Sequence, residues 1–481
     1  MSRREVDVGQ VTRIEGALKV SVNLDEIGDV SGAHANIIEF RGFEKFLIGR
    51  LFYKTPIITT RICGVCPVPH HLAAAKACDS GLGVEITPTA AMLRELMLMG
   101  EFIGDHTLQI FVLGGPDLLL PDLPESKRGI VELYKRYPDV VKDVIKVRST
   151  GQELVSMLGV QAVHPMTAIP GGINRHLSTS DANTLLKHVR EAKEKIMGWY
   201  DSIVIPIIEK AADSYENLGY LRTNYLGLVK NNNIELYDGT CKVVNGTGKT
   251  LAQFHASEYL DHLQERTVPY SYAKWVYLKS LGIDDGIVRV GALGRVNVAE
   301  GASTDFAGKL AKEFKAKFGS PSHSTLSYYV ARYLCLAYAV ERAEQLLEDQ
   351  KITGTDVKAP WKMKAGEGMG VVEAPRGLLI HHYAWNSERY ITKANLIVPT
   401  TTNSYPIDMS MKSVAQRSIS EGEVDEEKLR HEVGLTVRAY DPCISCSTHL
   451  DDYLLIEIKG ADGKTVKTIG GGAKRSGIEN A

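Results

Sequence analysis

The sequence predicts an α+β fold that is predominantly helical, and three observations carry that reading. A stretch near the start alternates apolar and polar residues as strands do. Several long segments further on repeat apolar positions every three to four residues. Gly-, Asn- and Asp-rich stretches suited to short strands and turns lie scattered between those segments.

In chain order, residues 1–42 read as β-rich. Leu18–Leu24 alternates as a half-buried strand, Asp25–Asp29 supplies a turn, and Val30–Phe40 returns as a second strand. Pro67–Cys78 is an Ala-rich helix. Thr87 and Pro88 open a helix to Leu113, with threonine as the cap and proline in the first turn. Ser180–Leu218 is a helix kinked at Pro206, and Leu326–Gln350 another. Asn217–Thr250 carries short strands, and Ile287–Ala302 is expected to be irregular. Gly366–His382 is glycine-rich and leads into the apolar Ala394–Thr402. Beyond His449, Tyr453–Ile458 and Val466–Ile469 flank an Asp462-Gly463 turn, which predicts a hairpin. No repeat or linker divides the chain. Residues 1–449 are expected to form one large domain, with 450–481 an extension.

A chain of 481 residues with 56 basic and 58 acidic side chains is long enough for a large core. Its formal charge of −2 argues against nucleic acid as the main partner. The apolar runs Ile203–Ile208 and Tyr328–Val340 are too short or too interrupted to span a membrane, so no span is expected. The first residues, Met1 to Glu5, lack the apolar run of a signal peptide, and the chain is expected to be cytoplasmic.

Of seven cysteines, Cys78, Cys241 and Cys335 stand alone and read as structural. The other four form two Cys-x-x-Cys pairs: Cys63 and Cys66, followed by His70 and His71, and Cys443 and Cys446, followed by His449. Cys-x-x-Cys lets two sulfurs face one centre, and two pairs complete a soft-metal site. Spacing alone leaves open a zinc-held structural or interaction subunit, independent redox pairs, or a catalytic centre. The 377 positions from Cys66 to Cys443 require the fold to bring both ends of the chain together.

The flanking residues separate these readings. Arg61-Ile62-Cys63-Gly64-Val65-Cys66 with His70, and Asp441-Pro442-Cys443-Ile444-Ser445-Cys446 with His449, resemble the metal-binding motifs of nickel–iron hydrogenase large subunits. The resemblance extends to Val11–Gly16, Glu39–Glu44, His106 to Asp117, His164-Pro165 with Pro170–Gly172, Ala374–Gly377 and Val398–Thr401. Eight ordered motifs across more than four hundred residues make chance similarity untenable.

The resemblance implies a mostly helical body with long core helices and small peripheral sheets, which cleaves H2 reversibly and heterolytically. It implies that Cys63 and Cys443 bind nickel alone, that Cys66 and Cys446 bridge nickel to iron, and that iron carries carbon monoxide and cyanide. It makes Cys443 a candidate base and Glu15 the proton relay, a buried carboxyl being able to exchange protons near neutrality. Arg376 is expected over the open metal position, with Asp117 and Asp441 fixing it or balancing its charge. Pro399 and Thr400 would hydrogen-bond a cyanide, and His70 the bridging Cys66. Glu44, the Leu396 carbonyl and His449 would hold magnesium. The three isolated cysteines leave no room for an iron–sulfur cluster, so a small subunit carrying clusters, and further electron-transfer subunits, are expected. In processed members of the family the chain ends at the position of His449. Leu450–Ala481 therefore reads as a cleavable maturation peptide, and a retained peptide is expected to keep His449 from the magnesium position.

Overall fold

Residues 5–39, 42–206, 218–420 and 423–449, together with the backbone of 456–459 and 465–469, are described by a computed structural model of the chain. At the N-terminus Glu5–Val11, Leu18–Leu24 and Val30–Asn36 form an antiparallel sheet. Val20, Val22 and Leu24 are buried while Lys19 is exposed, which is the alternation read from the sequence. The second strand stops at Asn36 rather than Phe40, because the next carbonyl, of Ile37, accepts from the amide of Tyr272 at 2.8 Å instead of extending the sheet.

The Pro67–Leu82 helix begins on Cys66 and is buried along most of its length. Its alanine-rich side lies on a three-stranded antiparallel sheet, Gly366–Ala374, Gly377–Trp385 and Ile391–Ile397. A Cβ on Gly368 or Gly370 would overlap the helix backbone at Ala77 or Ala73. Those glycines permit close approach within a regular strand, and because both faces are covered, no alternating pattern marks it in the sequence.

The Pro88–Leu108 helix starts as predicted, with the Thr87 hydroxyl accepting from the Ala90 amide, and widens into one π-helical turn at Gln109–Leu113. By length and composition alone, Pro88–Leu113 is apolar enough to cross a membrane, contrary to the expectation that no segment would be. It lies mostly buried against the helices Pro138–Gly159 and Ser327–Glu348. Its contact with the first is backbone-close, since a Cβ on Gly151 would lie 2.5 Å from the carbonyl of Gly100.

The predicted helix from Ser180 is observed as Thr179–Trp199 followed by a π turn at Tyr200–Val204. Pro206 has no N–H for the carbonyl four residues earlier, which accounts for the widening ahead of it; the remainder, 207–217, lies outside the described residues. The strands expected in Asn217–Thr250 are present as Asn224–Lys230, Asn233–Ile234 and Thr240–Val244. Ile287–Ala302 is not irregular: Val288–Arg289 pairs in parallel with Asn224–Lys230, and Ala292–Val298 is a fully buried helix. The glycines at 291 and 294 obscured that short period. In the extension, Ile456–Lys459 pairs antiparallel with Thr465–Ile469, while the Asp462-Gly463 turn lies outside the described residues.

Candidate metal centre

Both cysteine pairs sit where a helix begins. Cys63 leaves a 3-10 turn in extended conformation and Cys66 caps the Pro67–Leu82 helix. At the other end, the helix Glu426–Tyr440 terminates on Asp441 in the left-handed region, a conformation Asp tolerates. That reversal delivers Cys443 to the cap of the short Ile444–Ser447 helix, which carries Cys446.

The four sulfurs converge. Their Sγ atoms all lie within 4.8 Å of one another, with Cys63 and Cys443 3.4 Å apart, Cys66 and Cys446 3.4 Å, and Cys66 and Cys443 3.9 Å. All four are buried and free. Hydrogen bonds from the other three thiols hold Cys63 well below the ordinary thiol range. Burial pushes Cys443 and Cys446 well above it, and the balance between donated hydrogen bonds, the neighbouring Cys63 charge and burial leaves Cys66 at about 12. Held as thiolates, four sulfurs in this volume would require a cationic partner. The all-sulfur donor set fits soft transition metals such as nickel and low-spin iron.

Glu15 lies against the second pair. Its Oε2 accepts from the Ser445 amide at 2.9 Å and lies 3.2 Å from Cys443 Sγ, while the Ser445 hydroxyl donates to Oε1. Its carbonyl accepts from the amide of Ile444 at 3.0 Å. The next residue, Gly16, has φ +81° and a Cβ there would meet Ile444 at 2.6 Å, so only glycine lets the two segments lie this close. Glu15 is half-buried, not fully buried as expected.

Arg376 is 3% exposed and bridges two buried carboxylates: Nη1 to Asp105 at 3.0 Å and Nη2 to Asp441 at 2.9 Å. Burial opposes its charge, but these two carboxylates hold it charged, well above its ordinary range. Burial in turn raises Asp441 to about 6 against the pull of Arg376 and Arg332. Asp117 is not an anchor of Arg376. Its carboxylate is taken by Arg13 and, at 2.8 Å, by Arg438, tying the N-terminal segment to the Glu426–Tyr440 helix. The residue that takes the role expected of Asp117 is Asp105, one position before His106. The sequence motif supplied the right neighbourhood and the wrong end of it.

Cys66, His70, Arg376, Thr400, Cys443 and Cys446 wall one cavity, together with Pro399. Pro399 and Thr400 open the helix Pro399–Ser418, whose first amides give the cavity a positive edge. The Thr400 hydroxyl accepts from the Cys443 amide at 3.0 Å, which leaves its own proton available to donate. His70 Nδ1 lies 3.1 Å from His381 Nε2, and His381 Nδ1 lies 2.6 Å from the Tyr383 hydroxyl. Burial lowers His70 to about 4 and His381 well below its ordinary value, so both rings are neutral. With Tyr383 donating, His381 donates from Nε2 and His70 keeps its proton on Nε2. His381 and Ser445 carried no pattern of their own in the sequence.

The expected magnesium ligands also meet. Glu44 Oε1 lies 3.8 Å from His449 Nε2 and accepts from the Leu396 amide at 2.7 Å, and His449 Nε2 lies 3.2 Å from the Leu396 carbonyl. His449 reaches this position with Leu450–Ala481 present in the chain, contrary to the expectation that a retained extension would prevent it, because its backbone amide is held by Tyr272 and its Nδ1 by the Ser447 carbonyl. Cys78, Cys241 and Cys335 are buried apart from the centre, where burial raises all three thiols.

Two buried Cys-x-x-Cys pairs from distant parts of the chain, closing on one centre inside a helical body, fit the class of proteins with a thiolate-held soft-metal centre. Residues 41–119 and 232–449 match the family model described as nickel-dependent hydrogenase, and residues 5–40 one described as HoxL-like. The chain belongs to the nickel-dependent hydrogenase family and is a catalytic large subunit that cleaves H2 at a nickel–iron centre. Over 475 residues it is 37% identical to one of the subunits of the F420-non-reducing hydrogenase vhc of Methanococcus voltae, covering 97% of this chain and all of the relative. It is 36% identical to the beta chain of the NAD-reducing hydrogenase HoxS of Cupriavidus necator, covering 93% and 95%. Among solved structures, an NAD+-reducing [NiFe]-hydrogenase in the H2-reduced state superposes with a TM-score of 0.89 at 35% identity, covering 93% of this chain and 99% of that one.

Proposed function

We propose that Cys63, Cys66, Cys443 and Cys446 would together hold nickel and an iron carrying carbon monoxide and cyanide, and that Glu44, the Leu396 carbonyl and His449 would hold magnesium. The observation that carries this reading is the convergence of four buried sulfurs within 4.8 Å. When bound, the nickel–iron group supplies the electrophilic centre at which H2 is split and its electrons are accepted.

The chain's own residues do the rest. Arg376, locked between Asp105 and Asp441, holds a guanidinium at the cavity wall, where it polarises and orients the substrate. The Cys443 sulfur takes the proton. Glu15 Oε2, 3.2 Å away, receives it, and the Ser445 amide and hydroxyl hold that carboxylate in aim. The free Thr400 proton, with the helix amides beside Pro399, serves a buried anionic ligand that would be costly without donors. His70, whose ring lines the cavity beside Cys66, serves the Cys66 sulfur.

Electrons leave through a small subunit that carries iron–sulfur clusters, because the three remaining cysteines cannot hold one, and then through further electron-transfer subunits. The relatives named as subunits of F420-non-reducing and NAD-reducing hydrogenases support a multi-subunit assembly. Leu450–Ala481 is a peptide removed on maturation. Intact mass of the active enzyme tests that last step, and retention of those residues in active enzyme would refute it.

Infrared spectroscopy of the purified protein is expected to show metal-bound carbon monoxide and cyanide. Glu15→Gln is expected to keep those bands and the nickel while slowing H2 oxidation by about a hundredfold. An unchanged turnover in that variant would remove Glu15 from the proton path.

A further inference from the structure

Four residues before Asp105, on the same face of the Pro88–Leu108 helix, lies Glu101. It is 7% exposed, and its Oε1 is buried without a hydrogen-bond partner; the Oδ1 of Asp105, 5% exposed, is likewise unpartnered. A buried carboxyl left without donors is costly unless it serves some purpose or meets water. Both side chains line a surface-open cavity with Arg148 and Gln152 of the Pro138–Gly159 helix and with Gly64 and Val65 of the first Cys-x-x-Cys loop. Gly64 is exposed and Arg148 and Gln152 are half-buried, so the cavity has polar walls from the interior to the surface. The close helix approach at Gly100 and Gly151 fixes these two walls.

We infer that Glu101 is a proton relay joining the Arg376–Asp105 pair at the metal centre to this polar cavity, a second proton route beside Glu15. The inference rests on the reading of the metal centre given above. One proton moves and no electron: the Asp105 carboxylate takes a proton released at the metal centre and hands it to one carboxyl oxygen of Glu101, whose other oxygen gives its own proton to water in the cavity, so both groups return to their starting states. Arg376 keeps its charge throughout. The charged groups facing Glu101 are Asp105 on its own helix, Cys63 from the loop, Arg376 from the sheet and Arg148 from the opposite helix. Burial, followed by the charges of Asp105 and Cys63, holds Glu101 well above the usual carboxyl range, against the pull of Arg376 and Arg148. The neutral acid is thus its resting form, as a group that passes protons near neutrality requires.

Glu101→Gln keeps the side chain's size but cannot titrate. In the assembled Glu15→Gln holoenzyme, with nickel content and infrared bands unchanged, adding Glu101→Gln is expected to lower the residual H2 oxidation about tenfold further, with an enlarged solvent deuterium isotope effect, because only the Glu101 route is left there to carry protons. Glu101→Asp in the same background is expected to recover most of that residual rate. Gln152→Leu, which makes the cavity less polar without touching either carboxyl, is expected to reproduce the further loss and the isotope effect in that background; it decides the matter should Glu101→Gln lose nickel. Unchanged residual rate, pH profile and isotope effect when Glu101→Gln and Gln152→Leu are each added to Glu15→Gln would overturn the relay. Failure of the metal-centre reading shows elsewhere, as absence of nickel from the unaltered protein.

Discussion

Cys446→Ser is expected to abolish hydrogen uptake, lowering it by at least about a hundredfold, and to cost the protein its iron and most of its nickel. Losing even a supporting residue around a metal ligand typically costs tenfold to a hundredfold, and a bridging ligand contributes more. Serine offers a hard oxygen that stays protonated where the site needs a soft anion. The Cys446 sulfur lies 2.8 Å from that of Cys443 and 3.4 Å from that of Cys66, so its loss opens the centre between both pairs. Elemental analysis with an uptake assay checks this. Full uptake with both metals retained would refute the assignment of Cys446 as a ligand.

Arg376→Lys carries the second large effect. The guanidinium spans Asp105 and Asp441 with two nitrogens, and all three groups are buried. A lysine ammonium is a single point charge that can satisfy only one of the two carboxylates in place. The other is left buried and unpaired, a change of the kind that costs about 3–5 kcal/mol. The retained charge also moves away from the cavity wall. Misplacing a catalytic group by an ångström can cost about a hundredfold, and that is the expected loss of H2 oxidation, with nickel retained and the melting temperature lowered. Calorimetry and an uptake assay on the same sample separate the two effects. Wild-type turnover in a nickel-loaded Arg376→Lys protein would remove the guanidinium from the chemistry.

The metal centre was legible in the sequence because its ligands are short, ordered motifs of a chemically distinctive residue. Cys63, Cys66, Cys443 and Cys446 needed no long-range information beyond the demand that they meet. Glu15, Glu44, Leu396, Thr400 and His449 were named from the resemblance, and the fold sets Glu15 and Thr400 against Cys443 and groups Glu44 and His449 at Leu396. Asp105 was not found, because a helical carboxylate reveals its partner only once the Ala374–Gly377 turn is brought against the helix. Asp117 was misassigned for the same reason: it has arginine partners, but they are Arg13 and Arg438. In the fold, strands with one solvent face and capped helices were visible. The strands Gly366–Ala374 and Gly377–Trp385 and the Ala292–Val298 helix were not, because segments buried along most of their length lose the periodicity that marks them, and their glycines answer to neighbouring backbone rather than to local turns.

The central claim, that sulfurs from both ends of the chain hold nickel and iron together, is tested most directly by nickel-edge X-ray absorption on the purified, active protein. The account predicts nickel surrounded by sulfur scatterers with one iron neighbour at bridging distance, all lost together in Cys446→Ser. Zinc in place of nickel, or nickel with no iron beside it, would contradict it.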